Sequence, residues 1–215
     1  MSFFITFEGI EGSGKTTQLR YLYNHLQDLG YQTVVTREPG GCSISDTIRA
    51  LLLDPESVNM ASRTELLLYS AARAQHVDEC IQPALKEGKV VLCDRFADAT
   101  TVYQGAGRGL DMKQLEAINN FATSGLTPDL TLLLDYPVEE GLQRARSRNS
   151  TESMEAEGRF ELEALTFHRR IREGYLELAN KEERFHVINA LGDVVNVSKR
   201  ITTAVDRFLA IRSSA

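Results

Sequence analysis

The sequence lacks several features that mark whole classes of protein. Its cysteines, Cys42, Cys80 and Cys93, are scattered and form no C-x-x-C pair, which favours incidental thiols in a reducing compartment over disulfides or a metal site. No apolar run approaches the length of a membrane span. The first residues include neither a basic segment nor a signal cleavage site, so we expect a cytoplasmic protein with no membrane partner.

An excess of positive charge is also missing. The 215 residues carry a formal net charge of −6, which argues against the broad basic surface that polymeric nucleic acid requires. Internal repeats and low-complexity linkers are absent as well. The length is typical of one domain with a full core, so we expect a single domain over residues 1–215.

A phosphate-binding motif, the P-loop, is present near the N-terminus. Residues 9–16 match G-x-x-x-x-G-K-[ST], between an apolar, β-prone run and a series of leucines at helical spacing. The glycines let successive N–H groups point at phosphate oxygens, Lys15 adds a charge for the β/γ-phosphates, and the Thr16 hydroxyl is a ligand for Mg²⁺. The motif predicts ATP phosphate binding by Gly9, Ile10, Glu11, Gly12, Ser13, Gly14, Lys15, Thr16 and Thr17.

Strands and helices alternate along the rest of the chain. The predicted strands lie at residues 3–7, 33–36, 90–93, 130–134 and 185–188. The predicted helices follow the P-loop and then lie at residues 43–53, 62–86, 112–122, 138–146, 160–179 and from 194, with a glycine-rich loop at residues 104–109. This order predicts an α/β fold: a five-stranded parallel sheet between two layers of helices, with ligands at the carboxyl ends of the strands.

Other positions decide which kind of nucleotide-binding protein this is. Asp94 ends an apolar strand, where an acid can hold Mg²⁺ directly or through water, although it could instead cap the next helix. The sequence contains neither the N/T-K-x-D nor the D-x-x-G stretch that a guanine-specific switch needs. Four arginines flank a polar break and predict a mobile lid at about residues 146–160, the alternative being a solvated helix face: Arg144, Arg146, Arg148 and Arg159.

Taken together, these stretches resemble one family, bacterial thymidylate kinase, in the nucleoside monophosphate kinase group. The resemblance is carried by residues 8–17, 37–41, 69–75, 94–96, 103–109, 128–135, 141–148 and 175–179, which are collinear with the family over nearly the whole chain. It implies a homodimeric enzyme that transfers the γ-phosphoryl group of ATP, with Mg²⁺, to dTMP for dTTP biosynthesis. Lys15, Arg95 and the lid arginines Arg146, Arg148 and Arg159 would then act on the transferred charge.

The same resemblance implies which residues hold dTMP. Glu11 would meet the deoxyribose 3′-hydroxyl or the metal region, Arg95 the phosphate and Tyr103 the sugar. The implied set is Glu11, Arg37, Glu38, Leu53, Tyr69, Arg73, Arg95, Thr100, Tyr103 and Gln104. Within it, Tyr69 would stack on thymine and Arg73 would bond to the carbonyl edge of the base. The chain departs from the family at Ala99, where a serine is common, so a contact to thymine is lost or transferred to Thr100.

Two other classes of function stay open at this point. A kinase for a different acceptor would keep the P-loop without the pocket formed by Tyr69 and Arg73. A non-catalytic nucleotide switch would keep the P-loop without acceptor residues such as Arg95. The proposed chemistry needs no general base, because a phosphate monoester is largely deprotonated near neutral pH. The four histidines are therefore given structural or surface roles.

Overall fold

One five-stranded sheet organises the molecule in the computed structural model, which describes residues 2–151, 160 and 163–213. Every pairing within the sheet is parallel, and the strand order is β2-β3-β1-β4-β5. The strands are β1 (Phe3–Glu8), β2 (Thr33–Arg37), β3 (Val90–Asp94), β4 (Leu130–Asp135) and β5 (Phe185–Asn189). The predicted fold class is confirmed, and each predicted strand is found within one or two residues of its expected ends.

Helices cover both faces of the sheet. They are α1 (Lys15–Asp28), α2 (Ser43–Leu53), α3 (Ser62–His76), α4 (Gln82–Lys86), α5 (Ala97–Thr100), α6 (Met112–Thr123), α7 (Val138–Thr151), α8 (Leu165–Ala179) and α9 (Val194–Ser213). A π-helical turn, Val77–Ile81, joins α3 to α4, so the predicted helix at residues 62–86 is continuous with one wide turn. Within the described residues, no helix is both long and apolar enough to cross a lipid bilayer.

The central strand β1 places its two faces in two apolar layers. Phe3, Ile5 and Phe7 point into the larger core cluster, whereas Phe4 points into the smaller one and meets Phe96 edge-on, with ring centroids 4.9 Å apart. Side chains that alternate between two buried layers are the pattern expected of an inner strand in a parallel sheet. The strand that carries the P-loop is therefore fixed on both sides.

The register of the strands aligns the carboxyl ends of β1, β3 and β4. Phe7 at the end of β1 pairs with Asp94 of β3, and Glu8 pairs with Leu133 of β4. The P-loop leaves the sheet directly after Glu8, so it emerges between the carboxyl ends of its two neighbouring strands. Ligands of open α/β sheets bind at this edge.

The predicted loop at residues 104–109 is wrong, because most of it is helical. A π-helical segment, Thr101–Gly107, continues directly from α5. A Cβ on Gly105 would lie 2.7 Å from the sulfur of Met112, and one on Gly107 would lie 2.7 Å from the ring of Phe167. These glycines allow close packing of helices and do not form a turn. The sequence pattern alone does not distinguish these two uses of glycine.

Two predicted helix ends near the lid are also wrong. Helix α7 continues to Thr151, beyond the predicted end at Arg146, because polar residues such as arginine and glutamine favour a helix even where no apolar face is needed. Phe160 is itself helical, but residues 163 and 164 are not, so the predicted helix is interrupted and α8 begins at Leu165. Most of the predicted lid, residues 152–159, lies outside the described residues.

Candidate active site

The P-loop has the backbone geometry of an anion cradle. Gly9, Gly12 and Gly14 have φ angles of 138°, 70° and 94°, which L side chains rarely adopt. Helix α1 starts at Lys15, with no acidic residue in its first turn. The Lys15 ammonium donates to the carbonyl oxygens of Gly9 at 3.0 Å and Ile10 at 2.9 Å, and so lies inside the loop. Helix start, glycine backbone and ammonium together favour a bound polyphosphate.

Thr16 and Asp94 meet at the rim of the P-loop. The Thr16 hydroxyl donates to Oδ2 of Asp94 over 2.8 Å. Asp94 does not cap the following helix, whose N-cap residue is Phe96, so the alternative reading of Asp94 is wrong. No cluster of three or more metal-binding His, Cys, Asp or Glu side chains occurs among the described residues. One hydroxyl and one carboxylate nevertheless suit Mg²⁺, which takes its other ligands from phosphates and water.

A cavity, here called the acceptor cavity, opens beside the P-loop and holds about 560 Å³ of empty space, part of which is open to solvent. It is lined by nine of the ten residues predicted to bind dTMP: Glu11, Glu38, Leu53, Tyr69, Arg73, Arg95, Thr100, Tyr103 and Gln104. The tenth, Arg37, does not line it, because its half-exposed side chain instead pairs with Asp46 at 3.1 Å.

Sequence reasoning missed one cation in this cavity. Arg49 of α2 lines it and donates to the carbonyl oxygen of Pro39 at 2.8 Å. A signal was available in the sequence, because Arg49 lies four residues after the buried Ser45 and three before the buried Leu52. Those spacings put it on the inward face of α2. A charged residue on that face is a candidate for ligand binding rather than for solvation.

Arg73 is held rigidly in the wall of the cavity. Its side chain is 1% exposed, and Nε donates to Oε2 of Glu38 at 2.8 Å. The other two bonds go to Oδ1 of Asn119 at 3.1 Å and to the carbonyl oxygen of Phe96 at 3.2 Å. A guanidinium has five N–H donors, so these three bonds fix its plane and leave two donors for a ligand. The predicted contact between Arg73 and a base stays a prediction.

The corner between the cavity and the P-loop is built on Arg95 and Glu11. Arg95 has a positive φ of 69°, an unusual conformation for a residue other than glycine. Its guanidinium donates to Oε1 of Glu11 at 3.0 Å and to the Tyr103 hydroxyl at 2.9 Å. The Tyr103 hydroxyl in turn donates to the same oxygen of Glu11 at 2.5 Å. This network fixes a cation where the P-loop and the acceptor cavity meet.

Glu11 stays ionised in this setting. Burial raises the pKa of its carboxyl, but the Arg95 guanidinium, the neighbouring His168 imidazole and the Lys15 ammonium outweigh burial and hold the pKa well below its usual range. A permanently charged carboxylate accepts hydrogen bonds and donates none. At this position it can accept from a ligand hydroxyl.

Glu8, at the end of β1, has a raised pKa, in contrast to Glu11. Its Oε1 accepts from the backbone N–H of Phe96 at 2.8 Å, and its Oε2 accepts from the Tyr175 hydroxyl at 2.7 Å. Burial, with the nearby Asp98 carboxylate, raises the pKa of Glu8 from 4.5 to about 7. The two carboxyl groups at this end of β1 thus differ in charge near neutral pH.

Thr100 presents a polar atom with no partner. Its side chain is buried and lines the acceptor cavity, and its Oγ1 makes no hydrogen bond within the described part of the chain. Buried hydroxyls are normally bonded, so the unbonded hydroxyl of Thr100 is a candidate for a ligand contact. The preceding residue, Ala99, also lines the cavity and offers no polar atom there.

Arg144 and the first of the lid arginines, Arg146, lie on α7. Arg144 lies over the ring of Tyr136, with its guanidinium carbon 4.4 Å from the centroid. Arg146 is exposed on α7, and the backbone of Arg148 is part of the same helix. Arg159 lies outside the described residues. Of the three lid arginines, the structure therefore describes the side chain of Arg146 alone.

Comparisons with known proteins agree on one family. A family model described as "Thymidylate kinase" matches residues 7–201. A thymidylate kinase from Pelobacter propionicus is 56% identical over 206 residues, which cover 95% of this chain and 94% of that protein. One from Syntrophotalea carbinolica is 54% identical over 202 residues, 94% of each chain. The crystal structure of thymidylate kinase from Ehrlichia chaffeensis is similar with a TM-score of 0.74 and 33% identity, covering 95% of this chain and 98% of that one.

These matches extend over the elements that build the site. The family model begins inside β1 and ends inside α9, so it includes the P-loop, the residues of the acceptor cavity and α7. The fold resembles the solved structure over nearly its whole length, not only around the nucleotide-binding motif. The chain belongs to the thymidylate kinase family.

Proposed function

We propose that this chain transfers the γ-phosphoryl group of ATP to dTMP, giving dTDP and ADP, as a step of dTTP biosynthesis. One observation carries the proposal: Glu11 belongs to the P-loop and also lines the acceptor cavity, where it is bonded to Arg95. A donor phosphate in the loop and an acceptor phosphate at Arg95 would therefore lie side by side. A nucleotide switch has no use for this second, cation-lined cavity.

Catalysis in this site is positioning and charge neutralisation. The γ-phosphate and the acceptor phosphate are both negative, so the protein must overcome their repulsion and hold them in line. Lys15 and Arg95 supply fixed positive charge from either side. An acceptor monoester is already largely deprotonated near neutral pH, so no side chain has to remove a proton from it.

The proposed reaction includes Mg²⁺, for which Thr16 and Asp94 are the proposed protein ligands. The hydroxyl and the carboxylate lie together at the rim of the loop and supply oxygen, the donor type that Mg²⁺ prefers. When bound, the ion neutralises charge on the ATP phosphates. Thr16 and Asp94 would hold it, with ATP oxygens and water as the remaining ligands.

Selection of the base rests on Tyr69, Arg73 and Thr100. Tyr69 supplies an aromatic face and Arg73 follows four residues later, so both lie on the same side of α3. A guanidinium only donates, so it fits the O4 carbonyl of thymine and opposes the exocyclic amine of cytosine. The Thr100 hydroxyl supplies a further polar contact beside Ala99.

Recognition of the sugar is assigned to Tyr103 and Glu11. Both side chains line the acceptor cavity and are bonded to each other, whereas Thr16 is bonded to Asp94 at the rim of the P-loop. This position favours the 3′-hydroxyl over the metal region as the target of Glu11. The Tyr103 ring, held by its bonds to Glu11 and Arg95, leaves little room for a 2′-hydroxyl.

The lid and the assembly complete the proposal. Within a single domain over residues 1–215, the segment at about 146–160 acts as the lid, and one of Arg146, Arg148 and Arg159 bridges the two phosphates.

A cytoplasmic homodimer is proposed on the family expectation. The free thiols support a reducing compartment such as the cytoplasm. Exposed apolar side chains such as Leu67 and Phe121, which are 58% and 86% exposed, support an interface between two copies. Light scattering tests the assembly, and a monomer at micromolar concentration contradicts it.

The reaction is tested by ADP release from purified protein with ATP, Mg²⁺ and one acceptor at a time. We expect rapid ADP release with dTMP, and only background release with thymidine or with no acceptor. Lys15→Ala is the control for contaminating kinases, because removing its ammonium should lower turnover by several orders of magnitude and leave the fold intact. An exposed lysine variant, Lys113→Ala, should match wild type. Equal release with and without dTMP would point to a nucleotide switch instead.

A further inference from the structure

His168 is a buried imidazole beside the P-loop with no assigned role. It lies in the first turn of α8, and its side chain is fully buried. Neither ring nitrogen makes a hydrogen bond within the described residues. Its Nδ1 lies 3.4 Å from Oε2 of Glu11, the second carboxylate oxygen of that residue, which also has no hydrogen-bond partner there.

Two unbonded buried polar groups that face each other are unusual. Buried polar atoms in folded proteins are almost always bonded, since leaving them unbonded costs stability. Hydrophobic packing does not require an imidazole here, although Phe167 meets it edge-on with ring centroids 5.5 Å apart. A leucine could occupy such a position without burying polar atoms. The pairing with Glu11 is therefore the feature that distinguishes His168 from a core residue.

The two oxygens of Glu11 are held by different parts of the protein. Oε1 accepts from Arg95 at 3.0 Å and from the Tyr103 hydroxyl at 2.5 Å. These bonds hold Oε1, and neither of them involves Oε2. The only charged or polar group of α8 that the structure places against Oε2 within the described residues is His168. A movement of about 0.5 Å would bring its Nδ1 to normal N–H···O distance.

We propose that His168 is a positioning residue for Glu11. Its Nδ1–H donates to Oε2 in the substrate complex and sets the plane of the carboxylate, so that a lone pair points at the 3′-hydroxyl of the acceptor nucleotide. This assignment rests on the proposed function, because it acts through the contact between Glu11 and the sugar. It also connects α8, the helix that follows the lid segment, to the phosphate-binding loop.

The test compares dTMP with its 3′-deoxy analogue, 2′,3′-dideoxythymidine 5′-monophosphate, as acceptors. The ratio of kcat/KM for these two substrates measures the contact with the 3′-hydroxyl and is not altered by a uniform loss of folded protein. We expect a ratio of roughly tenfold to a hundredfold for wild type, as for a hydrogen bond to a charged group. His168→Leu, which removes the donor, should reduce this ratio at least fivefold.

Two further variants separate positioning from packing. His168→Asn keeps an N–H donor near the place of Nδ1 and should retain the wild-type ratio within about twofold, whereas His168→Gln carries its donor near the place of Nε2 and should not. Ile171→Ala removes a buried side chain one turn further along α8 and should lower the Tm without changing the ratio. If His168→Leu does not fold, the Asn and Gln variants carry the comparison.

The outcomes are distinguishable from failure of the proposed reaction. Wild type that does not phosphorylate dTMP overturns the proposed function itself. Wild type that phosphorylates dTMP but does not distinguish the 3′-deoxy analogue overturns the role of His168. The same conclusion follows if His168→Leu keeps the wild-type ratio, if the Gln variant equals the Asn variant, or if Ile171→Ala lowers the ratio as much as His168→Leu does.

Discussion

Gly12 of the P-loop packs against Gly141 of α7 with no space for a side chain on either residue. A Cβ on Gly12 would collide with the carbonyl oxygen of Gly141, and a Cβ on Gly141 would lie 2.6 Å from the carbonyl oxygen of Glu11. The helix that leads into the lid thus rests on the phosphate-binding loop, backbone against backbone. We therefore expect a displacement of α7 to disturb the loop.

The first prediction follows from this contact. Gly141→Ala should push α7 away from the P-loop, lower the free energy of unfolding by about 1–3 kcal/mol and weaken ATP binding. Calorimetric titration with ATP and thermal unfolding measure the two effects. Gln143→Ala, an exposed change in the same helix, is the control and should leave both values unchanged. Normal ATP affinity in Gly141→Ala would show that the contact is not important for the loop.

The second prediction concerns pH and Glu8. Its pKa is raised to about 7 in the folded protein by burial, so the folded state binds this proton more tightly than the unfolded state does. That contribution to stability is complete below pH 4.5 and is lost as the pH rises through about 7. Between pH of about 5.5 and 8, wild type should lose about 2 kcal/mol relative to Glu8→Gln, which stays neutral.

Urea unfolding of both proteins at the two pH values measures this difference. The exposed variant Glu177→Gln serves as the control and should follow the pH dependence of wild type. If the difference between wild type and Glu8→Gln were constant with pH, the Glu8 carboxyl would not be protonated in the folded protein near neutral pH.

The third prediction uses two adjacent threonines. The Oγ1 atom of Thr100 has no partner among the described residues, whereas that of Thr101 donates to the carbonyl of Ala97 at 3.3 Å and accepts from Asn119 at 3.2 Å. Thr100→Val should therefore leave stability unchanged or raise it by about 1 kcal/mol, and should lower kcat/KM for dTMP roughly tenfold. Thr101→Val should be less stable than wild type.

Thermal unfolding and steady-state kinetics on the pair provide the comparison. A Thr100→Val protein with wild-type kcat/KM would remove its hydroxyl from base recognition, and the transfer of the missing contact from Ala99 to Thr100 would be wrong.

The fourth prediction concerns the lid. Single alanine variants of Arg146, Arg148 and Arg159 should include one whose kcat falls by orders of magnitude while its Kd for dTMP changes little, because the bridging contact forms only in the transition state. Arg207→Ala, an exposed arginine of α9, is the control. Near-normal turnover in all three variants would exclude these arginines from the mechanism.

The sequence was sufficient for the sheet and for the phosphate site. Buried parallel strands are continuous apolar runs, as in residues 130–134, and the P-loop places strand, glycines, lysine and helix in a fixed order. The pairing of Thr16 with Asp94 follows from the same rule, because the ends of neighbouring strands lie together. These features depend on local pattern, which the sequence states directly.

The features that the sequence could not provide depend on contacts between distant elements. Gly105 and Gly107 resemble a loop until the side chains of Met112 and Phe167 are placed against them. Nothing in the sequence distinguishes His168 from other residues of its helix, because its proximity to Glu11 arises only when α8 packs beside the P-loop. The raised pKa of Glu8 likewise arises from burial and from Asp98, ninety residues away in sequence.

The central claim is that the acceptor cavity selects dTMP. Its most direct test is competition: kcat/KM measured for dTMP, dUMP, dCMP and AMP as alternative acceptors with ATP. We predict dTMP above dUMP by roughly tenfold, the value of one methyl contact, with dCMP and AMP far behind because of the Arg73 donors and the size of the cavity. Equal kcat/KM for dTMP and either dCMP or AMP would contradict both the pocket assignment and the proposed function.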